Sequence, residues 1–117
     1  MKNKLNSKFE KVSDEYYIST INRKKLILVD AEQIELKGWE EFDFSIRTVY
    51  DNKRKKSIKG YIISENYSGG ALGSGRTKKK AIEKSIANLS SVGKEKFENI
   101  ICDIIKKHGL SPRYKFK

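Results

Sequence analysis

The segment Gly73-Ser74-Gly75-Arg76-Thr77-Lys78-Lys79-Lys80-Ala81 sets two glycines, a threonine hydroxyl and a run of cations side by side. Residues of these types in this order suit anion binding. The glycines permit a tight backbone at a strand end, and the unpaired N–H groups of a helix start form an electropositive cradle. Thr77 is placed to cap that helix, its hydroxyl accepting from an N–H two or three residues on. Lys78, Lys79 and Lys80 then fall in the first turn, where the helix dipole opposes them by about 0.3–1 kcal/mol each. A negative group from outside the chain would reverse that sign, whereas surface lysines elsewhere are commonly only solvated. The GxxxxGK[ST] spacing of a nucleotide-binding P-loop is absent.

A second cluster, Lys53-Arg54-Lys55-Lys56, sits between two strand-like runs and is expected at a hairpin tip, with Lys59 on the returning strand. Cations there can neutralise phosphates; they can equally keep a sheet edge from pairing with another chain. Tyr50, Tyr61 and Tyr67 lie near these cations and can either stack on bases or pack across strands. The ending Arg113-Tyr114-Lys115-Phe116-Lys117 reads as a nucleic-acid clamp or a frayed end.

Catalytic constellations are wanting. His108 is the single histidine and stands at a helix end, where its charge suits the dipole. Cys102 is the single cysteine, which excludes an internal disulfide and fits a reducing, cytoplasmic setting. Glu35, Glu40, Glu41 and Asp43 are spread through an expected loop and make a weak metal set. No catalytic residue, metal or cofactor is expected.

The 117 residues carry 26 Lys and Arg against 15 Asp and Glu, a net charge of +11. The excess is segregated. Residues 44–84 hold 11 basic and 3 acidic side chains, while residues 1–43 are almost balanced at 8 and 9. A basic surface built by the middle of the chain points to an anionic partner, with nucleic acid first. No apolar leader and no 18-residue apolar run occur, so neither a signal peptide nor a membrane span is expected.

The elements that must position these residues follow from periodicity. Residues 1–13 are polar and aperiodic, a flexible arm or a short helix, leaving 14–117 as one domain. Two β-type runs, 16–21 and 26–29, flank a polar four-residue turn and read as a hairpin. Residues 30–41 are acidic and contain Trp39; they form a loop with a strand piece at 34–36, or a helical turn. Trp39 is there a candidate protein contact. Phe42, Phe44 and Ile46 alternate along a strand that ends at Tyr50; residues 58–64 return, and residues 71–73 add a short third strand. Ile82, Ile86 and Leu89, with Ala81 and Ser85 beside them, give a helix one apolar stripe. After Gly93 a second helix over 94–107 carries Phe97, Ile100, Ile101, Ile104 and Ile105. The expected fold is α+β: an N-terminal β-hairpin, an antiparallel three-stranded sheet, then two C-terminal helices packed on it.

The order of strands leading into Gly73-x-Gly75-x-Thr77-Lys78-Lys79-x-Ala81 resembles the later part of a double-stranded RNA-binding domain, over residues 42–89. The resemblance implies that Lys78 and Lys79 grip phosphates across a groove of duplex RNA and read shape. Ile82 stands where that family carries another lysine, and Ile86 where it usually has alanine. Three strands followed by a helix also resemble the arm-binding domains of integrases and a plant DNA-binding domain that lays its sheet in the major groove. There Arg47, Lys59 and Tyr61 would share a strand face against DNA. The function expected is non-catalytic binding of duplex RNA or DNA through Lys53, Arg54, Lys55, Lys56, Lys59, Arg76, Lys78, Lys79 and Lys80. The alternative is an inhibitor of the kind made by phages and mobile elements, similar in style to anti-CRISPR proteins, whose basic face meets a nucleoprotein enzyme.

Overall fold

The computed structural model describes residues 4–19, 26–50 and 58–117. In chain order they form α1 (Lys4–Lys8), β1 (Phe9–Lys11), β2 (Tyr16–Ser19), β3 (Leu26–Val29), β4 (Glu32–Ile34), β5 (Phe44–Tyr50), β6 (Ile58–Glu65), β7 (Ala71–Gly75), α2 (Lys78–Val92), α3 (Lys94–His108) and β8 (Tyr114–Phe116). The class is α+β, with the hairpin β2–β3 and both long helices in the expected places. The main sheet has four strands rather than three, in the order β4-β5-β6-β7, all antiparallel. The extra strand comes from the acidic stretch: Ile34 pairs with Phe44, and Glu32 with Ile46. The hairpin tip 51–57 and the turn 20–25 lie outside the described residues.

α2 lies on the face of the sheet made by Phe44, Ile46 and Ile63, all buried. Its fully buried line is Ala81, Ser85 and Leu89, while Ile82 and Ile86 are only half-buried. Small residues take the centre because two glycines of β7 bring the helix close. A Cβ at Gly73 would stand 2.6 Å from Ser85 Oγ, and one at Gly75 would stand 2.6 Å from the Ala81 nitrogen. The glycines that looked like loop chemistry are thus packing residues as well. Gly73→Ala is expected to lower stability by about 1–3 kcal/mol through overpacking, read as a lower midpoint in urea unfolding.

Gly93 separates the helices. Its φ of +88° suits glycine, and its N–H closes α2 on the Leu89 carbonyl at 2.9 Å. α3 then buries Phe97, Ile101 and Ile105. Phe97 meets Trp39 and Phe42 edge-on, at 5.8 and 5.1 Å between ring centroids, and lies 6.4 Å from Phe44 of the sheet. Trp39 is therefore a core residue, 6% exposed, and not the protein contact its acidic surroundings suggest.

The chain ends are packed too. Leu5 and Phe9 are buried, and β1 pairs antiparallel with β8, Phe9 opposite Phe116. Of the two expectations for residues 1–13, the short helix is present at Lys4–Lys8 among the described residues, and the strand Phe9–Lys11 that follows it lies outside both. Tyr67 and Tyr114 stack at 4.8 Å beneath this pair, with Phe9 6.5 Å from Tyr67. Tyr67, 1% exposed, is thus removed from any surface role. No helix among the described residues is long and apolar enough to cross a membrane.

Candidate nucleic-acid interface

Lys59, Arg76 and Lys78 to Lys80 lie where β6 begins, β7 ends and α2 starts. Antiparallel pairing sets Tyr61 opposite Gly75, which brings Lys59 and Arg76 to one open groove of about 620 Å³. Val49, Gly60, Ile62 and Ser74 contribute its walls. From the same end rises α2. Thr77 is extended at φ −123° and ψ 160°, and its Oγ1 accepts from the Lys80 N–H at 3.1 Å. The cap is the one its sequence implies.

Arg76, Lys78, Lys79 and Lys80 are exposed, and the first turn of α2 contains no acidic residue. Of these four side chains, that of Lys78 makes an ion pair and a ring contact among the described residues. Its Nζ stands 3.8 Å from Glu32 Oε2 and 5.9 Å from the centre of the Tyr61 ring. The two charged side chains are 57% and 76% exposed, so water screens the pair to well under about 1 kcal/mol. Lys78 is easily recruited by a stronger anion. Lys53, Arg54, Lys55 and Lys56 lie outside the described residues.

Arg47 and Tyr61 do not share a strand face. Tyr61 pairs with Thr48, so its neighbour Arg47 projects from the opposite side of the pleat. A flat reading face of Arg47, Lys59 and Tyr61 is therefore absent, because a register of two along each strand separates odd from even positions. Arg47 is half-buried, and its Nε is buried without a hydrogen-bond partner. Burial holds its guanidinium below the ordinary value.

Several charged residues serve the fold instead. Arg113 is 1% exposed and bonds Asp43, so the C-terminal cations are neither a clamp nor a frayed end at this position. Glu41 pairs with Lys94 at 2.7 Å, which takes it and Asp43 out of any metal set with Glu35 and Glu40. Glu65 is 3% exposed and organises the turn after β6. It accepts from the N–H groups of Tyr67 at 3.0 Å and Gly70 at 2.9 Å, and from the Ser68 N–H and hydroxyl. Burial pushes its carboxyl up, against the pull of these donors. Nothing local marks Glu65 as buried: the clue is only that one acid sits in a basic segment just before Ser68-Gly69-Gly70. Cys102 is half-buried in α3, and His108 is exposed at its end.

Comparison of the chain with protein-family models, curated proteins and solved structures finds no match.

Proposed function

We propose that this protein binds nucleic acid without catalysis, holding phosphates at the start of α2 and along the adjoining groove. The observation that carries the reading is the capped helix start with Lys78, Lys79 and Lys80 exposed and no carboxylate in its first turn. Each lysine there opposes the dipole unless an anion is bound, and a phosphate satisfies the free N–H groups and the ammonium groups together. Arg76 and Lys59 extend the positive surface beside it. The likeness of residues 73–81 to the double-stranded RNA-binding pattern favours duplex RNA over DNA as the ligand, and the net charge of +11 favours a polyanion over a small acidic molecule. A cytoplasmic setting accompanies this reading.

The test is a titration of the full chain with blunt duplex RNA, duplex DNA and single strands at several salt concentrations. Duplex RNA is expected to bind tightest, with affinity falling steeply and linearly on logarithmic axes as salt rises. Absence of binding at low salt would overturn the reading and direct the basic end to an acidic protein surface, as an inhibitor would use it.

A further inference from the structure

We propose that Glu32 stands in for phosphate in the free protein: it holds Lys78 back over the sheet, and a nucleic acid must take Lys78 from it to occupy the start of α2. Glu32 thereby lowers the affinity of the site through one named cation. The inference rests on the nucleic-acid reading for the identity of the competing anion.

Backbone geometry brings the two residues together. Glu32 pairs with Ile46, and Thr48, the next residue on that side of β5, pairs with Tyr61. Glu32, Thr48 and Tyr61 therefore project from one face of the sheet, the face that α2 covers. Lys78 stands about two helical turns before the buried Ser85, so it too belongs to the sheet-facing side of α2. The four residues line one cleft of about 360 Å³.

Lys78 is engaged there twice. Its Nζ stands 3.8 Å from Glu32 Oε2 and 5.9 Å from the centre of the Tyr61 ring. Lys79 and Lys80 leave the helix in other directions, since each residue is turned by about 100° from the last. Neither they nor Arg76 make an ion pair among the described residues. The helix start thus presents several cations, of which one is answered by an acid from a distant strand.

This asymmetry has a consequence for binding. An ammonium already beside a carboxylate gains less from a phosphate, because the two anions repel at that separation and one must withdraw. Asp30 lines the same cleft and adds to the repulsion, without an ion pair to Lys78. Arg76, Lys79 and Lys80 meet no such rival. A polyanion that engages them together can draw Lys78 away, and the exposure of the Glu32–Lys78 pair keeps it weak enough to be reversed.

An acid that merely lies near a phosphate site repels nucleic acid whether or not Lys78 is present; a stand-in acts only through Lys78. A double-mutant cycle in the full chain separates the two, with binding of a blunt RNA duplex measured at low salt. Glu32→Gln keeps the size of the side chain and is expected to bind the duplex about threefold more tightly than the wild type, within the range of an exposed ion pair. In a Lys78→Gln background the same change is expected to alter affinity by less than about 1.5-fold. Asp30→Asn measures the general repulsion of one acid in this cleft, and is expected to give less than about 1.5-fold in either background. Should Glu32→Gln not fold, Glu32→Asp keeps the charge but draws it back by one methylene, and is expected to bind about twofold more tightly.

Equal affinity of the folded Glu32 variant and the wild type, or a gain that persists without Lys78, overturns the inference and leaves the nucleic-acid reading standing. Absence of duplex binding by both the wild type and Glu32→Gln overturns that reading and this inference together. Binding by Glu32→Gln alone supports the inference, with Glu32 the stronger competitor in the wild type.

Discussion

Replacing Arg113 by Leu is expected to destabilise the domain by about 3–5 kcal/mol, because it leaves the Asp43 carboxylate buried without its counter-ion. For a single domain of about 5–15 kcal/mol total stability this is a large fraction. Arg113 Nε bonds Asp43 Oδ2 at 2.8 Å, one terminal nitrogen donates to the Glu15 carbonyl at 3.1 Å, and the other donates to Gln33 Oε1 at 2.9 Å. The guanidinium also covers the Tyr16 ring at 4.5 Å. One side chain thus ties β2, β4, β5 and the C-terminal strand together.

Asp43 receives Gln33 Nε2 at 2.6 Å and the Tyr114 hydroxyl as well. Burial alone would raise its pKa, but these donors and Arg113 outweigh it and hold the carboxyl below the usual range. The sign follows. A depressed folded-state pKa gives stability that is fully present above the unfolded value, about 4, and is lost as pH falls through the folded value. Urea unfolding of the wild type should therefore weaken in acid through this group, and Arg113→Leu should lose most of that dependence. Arg113→Leu combined with Asp43→Leu should cost less than the sum of the single changes, since neither charge is then stranded. Additive losses would show that the pair is not coupled.

Replacing Lys78, Lys79 and Lys80 together by Gln is expected to move stability and binding in opposite directions. Three cations removed from a helix N-terminus relieve the dipole by about 1 kcal/mol in all, so the melting temperature should rise. Affinity for duplex RNA at low salt should fall by about a hundredfold. The slope of log affinity against log salt should become shallower by about 2 to 3, reflecting up to three lost phosphate contacts. Lys59 and Arg76 remain, so binding should be weakened and not erased. A stabilised variant that binds as well as the wild type would remove the helix start from the interface. A variant that loses both stability and binding would show that these lysines are structural, contrary to their exposure.

Much of the architecture is local and therefore legible in the chain. Tyr16–Ser19 and Leu26–Val29 are β-rich runs separated by a polar turn, and they pair as a hairpin. The Thr77 cap and the limits of α2 and α3 depend on side chains within a few residues, so Thr77, Gly93 and Gly109 mark them directly. The grouping of Arg76 with Lys78 to Lys80 is likewise a matter of neighbours, and Lys59 joins them through the β6–β7 pairing.

What could not be read depends on partners far along the chain. Arg113 looks like one more cation of a basic tail; only the fold places Asp43 against it and makes burial tolerable. Leu5 and Phe9 look too sparse to anchor an arm, yet β8 offers them a strand and a core edge. Strand register, set by the β5–β6 pairing, puts Arg47 and Tyr61 on opposite faces of the sheet. Composition and short-range pattern thus determined the class of the fold, its helix limits and the basic segment. Tertiary structure decided which charges are spent inside and which remain outside, because the energy of a charge depends on the water and the partners that long-range packing leaves it.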